Sequence, residues 1–416
     1  MDYSKKNFLD FVAVKDQDIV QTANDFNGFL AWTRKYQYTL GERMLLNGST
    51  PRGLILNQAT GETKNMINFG SNDYLNLTSH PKTKQAAMDA LQKYGTGTGS
   101  APVLGGNFEL HQNLIKKVAE IKHTEDAIIF TSGYATNIGS LKALLKEGDL
   151  AIVDQYAHAS IQDGCTSAMV RIFKHSDMNS LENVLRLNST GNFRTKIICI
   201  DGVYSMDGDI APLPEIMQIA KKYNAFVYVD DAHAVGVIGA TGKGTCEHFH
   251  LEGKIDFIAG TFSKAIGSQG GYVAASKAVV EYLRYYSRAH MFSTAMTPAA
   301  AAASLAAIEI ITSNQDRKNK LWENINYLRG KLLSNGFNIG SSETAIIPII
   351  IGNDNKVRDL VSYLHQQNIY THAVVFPAVP IELSRVRLSL TQDHTEEELD
   401  LLVEHLVTKG KELNII

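Results

Sequence analysis

Between about residues 125 and 275, short apolar runs alternate with longer segments of helical period. The runs are Ala127–Phe130, Leu150–Val153, Ile197–Ile200, Phe226–Val229, Phe257–Ala259 and Gly271–Ala275. Several are continuously apolar rather than alternating, which is the pattern of strands covered by helices on both faces. This spacing predicts an α/β domain built on a mostly parallel sheet. In such sheets ligands bind beyond the carboxyl ends of the strands, so the residues following each run are the ones to inspect.

The pattern changes toward both ends. Up to about Met66 it is mixed, with a loop expected at Asn47–Gly53. An Ala-rich helix at Pro298–Ile311 and a helical run from Asn314 to Asn335 precede strand candidates at Ala345–Ile351, Ile369–Val375 and Val386–Leu390. Thr395, with Glu398 three residues on, has the form of a capping box opening a last helix. The expected organisation is an N-terminal segment at 1–66, a large α/β domain at 67–300 and a smaller α+β domain at 301–416.

Composition narrows the function classes. A chain of 416 residues with 44% hydrophobic content can bury more than one core. A formal charge of −3 and a pI near 6.5 argue against a polyanion-binding surface, so nucleic acid is not an expected partner. Cys165, Cys199 and Cys246 lack metal-ligand spacing, so no metal site is expected, and their sparse, odd count suits a reducing compartment. The N-terminus lacks the apolar core of a signal peptide, and the Ala-rich stretch is too short to span a bilayer. A soluble, cytoplasmic protein with at most peripheral membrane contact is expected.

The polar residues of interest fall at the strand ends. After the first run come Thr131, Ser132, Gly133 and Tyr134, opening a helix whose N-terminal N–H groups suit a phosphate, although many helices begin this way. After the second comes His158, in a place where a histidine is most often packed or capping, but where a flat ring can also stack on a cofactor. After the third, a turn carries Ser205, either a plain turn serine or a donor to a cofactor oxygen. Asp230 and His233 follow the fourth run, and Thr261, Ser263 and Lys264 follow the fifth. A lysine alone at a strand exit reads as a solvated end. In this company it changes meaning: an amine, a carboxylate and imidazoles from successive strand ends are the parts that hold pyridoxal phosphate as a Schiff base. The lysine must be neutral to attack, so burial and a nearby cation are expected to lower its pKa.

Larger motifs then become recognisable. They include Asn68-Phe69-Gly70-Ser71-Asn72-Asp73-Tyr74-Leu75, Tyr94-Gly95-Thr96-Gly97, His158-Ala159-Ser160 and Asp201 to Gly208. Further on come Val229-Asp230-Asp231-Ala232-His233, Thr261-Phe262-Ser263-Lys264 and Arg385-Val386-Arg387-Leu388-Ser389. On these the chain resembles the α-oxoamine synthases, a branch of the fold-type I pyridoxal-phosphate enzymes, from about Ile67 to Leu402. The resemblance implies a transferase that condenses serine, glycine or alanine with an acyl thioester, on coenzyme A or a carrier protein, to give an α-amino ketone with loss of CO2.

By the same resemblance, Lys264 is the Schiff-base lysine, Asp230 pairs with the pyridine nitrogen and His158 stacks on the ring. His233 and Ser205 serve the phenolic oxygen, while Thr261, Gly133 and Tyr134 hold phosphate, with Ser132 and Ser263 also in cofactor contact. Ser293 and Thr294 match a segment that reaches the neighbouring subunit's phosphate, which implies a homodimer with shared active sites. Asn72 and Arg387 bind substrate, Arg387 through a guanidinium fork suited to a carboxylate.

Within the family, Pro377-Ala378-Val379-Pro380 and Met291-Phe292-Ser293 look most like bacterial serine palmitoyltransferases, implying a sphingolipid-forming role. Ser71-Asn72-Asp73-Tyr74 is shared in pattern with 8-amino-7-oxononanoate synthases, and glycine C-acetyltransferases are near relatives. The chain departs from the family at Ala101 and Pro102, where Ser-Arg is common, and at Asn76, where Gly is common. An aminotransferase or lyase of the same fold is the rival reading. A non-catalytic partner subunit is disfavoured by the presence of Lys264, and a nucleotide-binding Rossmann protein by the lack of Gly-x-Gly-x-x-Gly after the first strand.

Overall fold

The computed structural model describes residues 2–3, 6–12, 14–35 and 43–416, so part of the segment expected at 1–66 lies outside the described residues. The chain divides into two compact units, Asn72–Trp322 and a second made of Met1–Ser71 with Glu323–Ile416. The division thus falls at 71/72 and 322/323 rather than at 66/67 and 300/301, and the N-terminal stretch shares a unit with the C-terminal one.

Unit 72–322 is built on a seven-stranded sheet. Across it the strands run Asp126–Phe130, Gly271–Ala275, Phe257–Thr261, Phe226–Asp230, Lys196–Asp201, Leu150–Asp154 and Met169–Phe173. All are parallel except 271–275, which is antiparallel to both neighbours. The six expected runs are all strands. Their residues are almost uniformly buried because helices such as Gly133–Leu144 and Lys277–Tyr286 pack Leu141, Val280 and Leu283 onto Ile128, Val153 and Val273. Each such aliphatic side chain contributes roughly 1.5–3 kcal/mol on burial. The strand at 169–173 is new: it is one edge of the sheet, with Met169, Arg171 and Ile172 exposed, so no continuous apolar run marks it.

The other unit holds two small sheets. One pairs 43–45, 52–57, 63–68 and 369–370; in the other, Arg385–Ser389 is flanked by Ile346–Ile350 and His372–Val374. The single strand expected at 369–375 is therefore two, in different sheets. Thr371 separates them, its carbonyl 3.0 Å from His365 Nε2. The last helix, Glu396–Glu412, begins at Thr395 with the capping box in place. No helix among the described residues is long and apolar enough to cross a membrane.

Candidate active site

Five strand ends of the seven-stranded sheet open on one cleft of about 270 Å3. Strand 126–130 leads into the helix Gly133–Leu144, capped by Ser132, whose hydroxyl accepts the Ala135 N–H at 3.1 Å. The first-turn N–H groups of that helix have no partner within it, and the dipole places positive charge there. Across from it Thr261 ends strand 257–261. Its hydroxyl donates to the Gly270 carbonyl at 2.8 Å and lies 2.8 Å from Ser263 Oγ. A Cβ on Gly133 would stand 3.0 Å from Thr261 Oγ1, so glycine is what allows the two elements to approach.

Lys264 follows, half-buried, in a turn pinned by Gly267 N–H to the Lys264 carbonyl (2.8 Å) and Ser268 N–H to the Phe262 carbonyl (2.7 Å). Gly267 has φ 69°, and a Cβ there would meet the Thr78 nitrogen at 2.5 Å. Only glycine suits both demands. Asn76, at φ 50°, also occupies the left-handed region, which asparagine tolerates; this accounts for its standing where glycine is common.

Asp230, at the end of strand 226–230, is 7% exposed and held on both oxygens. Asn137 Nδ2 donates to Oδ2 at 2.6 Å, and the Ala232 N–H donates to Oδ1 at 3.0 Å. Asn137 also donates to Ser160 Oγ (2.9 Å) and accepts the Tyr228 hydroxyl (2.9 Å). Next to Asp230 in register is Asp201, buried at the same cleft. Burial, then the charge of Asp230, pushes the Asp201 carboxyl well above its usual range. His158 caps the helix Ala159–Cys165, with Nδ1 2.7 Å from Ser160 Oγ. Burial lowers its pKa against the pull of Asp230, so the ring is neutral near pH 7.

The cleft therefore brings together Ser132, Gly133, Tyr134, His158, Asp230, His233, Thr261, Ser263 and Lys264, all singled out from the sequence. Ser205 is half-buried in its turn and is not among the lining residues. Ser293 and Thr294 line a separate cavity of about 220 Å3, together with His111 and His290. Arg387 lies in the other unit, on strand 385–389, 6% exposed with Nη1 donating to Ser389 Oγ at 2.8 Å. Asn72 accepts the Tyr74 hydroxyl at 3.3 Å, and that hydroxyl lies 2.7 Å from His233 Nδ1. Asn137 escaped the sequence reading, while Asp201 and Tyr74 stood in the family motifs without a role. Asn137 carried a local signal, one helical turn beyond Gly133 on the same face.

The family model for aminotransferase class I and II matches residues 64–406. An 8-amino-7-oxononanoate synthase of Thermoanaerobacter pseudethanolicus is 45% identical over 375 residues, 90% of this chain and 93% of that one. The chain belongs to this family, in its α-oxoamine synthase branch. Its members are pyridoxal-phosphate enzymes. The 8-amino-7-oxononanoate synthase 1 of Bacillus subtilis is 43% identical, over 84% of this chain and 90% of its own. Among solved structures, a serine palmitoyltransferase with bound pyridoxal phosphate has a TM-score of 0.88 at 29% identity, covering 96% of this chain and all of that one. The 8-amino-7-oxononanoate synthase of Francisella tularensis has a TM-score of 0.73 at 25% identity, covering 83% and 98%. The likeness to serine palmitoyltransferase thus holds in shape, while sequence identity runs higher to the 8-amino-7-oxononanoate synthases of Thermoanaerobacter pseudethanolicus and Bacillus subtilis.

Proposed function

We propose that this α-oxoamine synthase works as an 8-amino-7-oxononanoate synthase. The supporting observation is the identity of 43–45% to enzymes of that name over 84–90% of the chain, against 29% to serine palmitoyltransferase. This replaces the sphingolipid-forming role that the short motifs suggested. The product's name specifies its parts. With an amine at C8 and a ketone at C7, the two-carbon piece C8–C9 is alanine without its carboxylate. The remaining seven carbons arrive as an acyl thioester ending in a second carboxylate. Alanine and this thioester give the amino ketone, CO2 and the free thiol.

The cleft fits pyridoxal phosphate. The close approach of Gly133 and Thr261 sets a helix N-terminus opposite a hydroxyl, a cradle for the phosphate. The buried, doubly bonded Asp230 suits a protonated pyridine nitrogen. When bound, the cofactor supplies an electron sink for negative charge at the amino acid's α-carbon. Lys264 is the amine that anchors it and moves the proton at that carbon. Neutral His158 offers its ring face, and His233 meets an oxygen of the bound group. Ser205 keeps an expected place beside the phenolic oxygen, Arg387 takes the amino-acid carboxylate and Asn72 lines the substrate pocket. Ser293 and Thr294, outside the chain's own cleft, serve a second copy's phosphate, so the working form is a homodimer.

Thiol release reports the reaction directly. It is expected with L-alanine plus the seven-carbon dicarboxylic thioester, and with neither alone. Trials on coenzyme A and on a carrier protein identify the acyl donor. Release with serine and a palmitoyl thioester, but not with alanine, would restore the serine palmitoyltransferase reading. Keto-acid formation without any thioester would replace both with an aminotransferase.

A further inference from the structure

Asn137 is a buried side chain at the cleft, 2% exposed, to which the roles above give no task. Its amide makes three hydrogen bonds. Nδ2 donates to Asp230 Oδ2 at 2.6 Å and to Ser160 Oγ at 2.9 Å, and Oδ1 accepts the Tyr228 hydroxyl at 2.9 Å. The carboxylate decides which way round the amide lies, because it only accepts, and an amide oxygen 2.6 Å from it would set acceptor against acceptor. Both Nδ2 hydrogens are then committed, one to each partner. Ser160 Oγ receives one of them and has its own proton left to give, with His158 Nδ1 2.7 Å away. The Ser160 backbone N–H points at the same nitrogen at 3.3 Å. Two donors meeting at Nδ1 make it the acceptor, so the neutral His158 ring carries its proton on Nε2.

We infer that Asn137 is a positioning residue whose single amide ties together the two groups that grip the cofactor's ring: the Asp230 carboxylate at its edge and, through Ser160, the His158 imidazole at its face. The two side chains come from different strand ends and rotate independently, and each would otherwise lose that freedom only when the cofactor binds. The amide removes it beforehand. Asn137 lies on the helix Gly133–Leu144, one turn from Gly133, so the element that shapes the phosphate cradle also sets the ring clamp. The fully buried Tyr228, whose hydroxyl has Ser140 Oγ 2.8 Å away as a further partner, backs the amide from the core. The inference rests on the cofactor roles given to Asp230 and His158, and not on which amino acid or thioester reacts.

The test titrates cofactor-free protein with pyridoxal phosphate carrying ¹⁵N in its pyridine ring. Asn137→Leu fills a similar volume, Tyr228 keeps Ser140 as a partner and Ser160 keeps His158, so the fold should survive. Affinity for the cofactor should fall on the order of tenfold, the scale of one hydrogen bond to a charged group. The ring nitrogen should also lose its proton at lower pH, because a carboxylate no longer held beside it stabilises that charge less. Ser160→Ala cuts only the link to His158, so affinity should fall severalfold with the nitrogen's titration unmoved; wild-type affinity there overturns that link. A titration that moves in Asp230→Asn but not in Asn137→Leu overturns the positioning role alone. One unmoved by Asp230→Asn overturns the pairing of Asp230 with the nitrogen, and the inference with it. A proton–nitrogen spectrum of cofactor-free wild type carrying ¹⁵N-histidine, with His158 assigned by its loss in His158→Gln, should show the Nε2–H pattern. An Nδ1–H pattern overturns the inference even if Asn137→Leu fails to fold. None of these readings needs substrate, so their outcome is separate from that of the proposed reaction.

Discussion

His175 sits between two buried carboxylates, and replacing it with phenylalanine isolates what that clamp contributes. Its Nδ1 lies 3.0 Å from Asp154 Oδ1 and its Nε2 2.9 Å from Asp209 Oδ2. The ring stacks on Tyr156 at 4.4 Å and meets Tyr204 edge-on at 4.4 Å, contacts that a phenyl ring keeps. Burial works against the charge, but the hydrogen bonds and charges of the two aspartates overcome it and push the pKa up to about 10. Two charge-assisted hydrogen bonds at roughly 1.5 kcal/mol each, the low end because solvent reaches part of the ring, amount to about 3 kcal/mol.

The sign follows from the raised pKa. The stabilisation is fully present below the unfolded value near 6.5 and is lost as pH rises through about 10. Urea unfolding at fixed protein and cofactor concentration should therefore show His175→Phe about 3 kcal/mol less stable at pH 6, with the gap narrowing between pH 7 and pH 10. The same clamp braces the loop leading to His158, since Asp154 also accepts the N–H groups of Tyr156 (2.8 Å) and Ser176 (3.0 Å). A gap below about 0.5 kcal/mol at pH 6, as for an ordinary surface substitution, would refute the reasoning. A gap that stays constant up to pH 10 would refute it equally.

Other perturbations follow from the geometry. Lys122 and Asp231 form a buried ion pair at 2.6 Å, both side chains at most 1% exposed, so Lys122→Met should cost about 3–5 kcal/mol. Lys122→Met with Asp231→Asn should recover part of that, and thermal melting of both variants checks it. Gly133→Val places carbon 3.0 Å from Thr261 Oγ1 and should weaken cofactor binding on the order of tenfold, read by titrating the cofactor-free protein. Asp230→Asn keeps the shape but removes the charge, and should lower kcat/KM on the order of 10²-fold, about 2.7 kcal/mol of barrier. Steady-state kinetics with cofactor in excess measures that loss apart from weaker binding.

The sheet was legible because its central strands are buried on both faces, so each apolar run stands out against its helical neighbours. The edge strand Met169–Phe173 was not, because Arg171 interrupts it and its exposed face removes the need for continuous hydrophobicity, whereas the opposite edge, Asp126–Phe130, is buried and was found. The residues of the cleft were readable where chemistry announces itself at a strand end, as with Lys264, Asp230 and His158. Their supports were not, because these are defined by distant partners. Asn137 meets Asp230 across 93 residues, Tyr74 meets His233 across 159, and His175 joins Asp154 to Asp209. Apart from the helical spacing of Asn137 from Gly133, none of these pairings leaves a periodicity or a spacing to find. The family was legible from the short motifs, but these report a scaffold shared by its members, whereas identity over the whole chain also weighs the residues around it and favours the 8-amino-7-oxononanoate synthases of Thermoanaerobacter pseudethanolicus and Bacillus subtilis.

The mass of the amino ketone formed from a mixed pool tests the central claim most directly. The pool holds alanine, serine and glycine with the seven-carbon dicarboxylic thioester and a palmitoyl thioester in equal amounts. The product expected is 8-amino-7-oxononanoate, with the ¹³C label of C3-labelled alanine retained at its terminal methyl carbon. A long-chain amino ketone derived from serine, or no ketone from any pairing, would contradict the account.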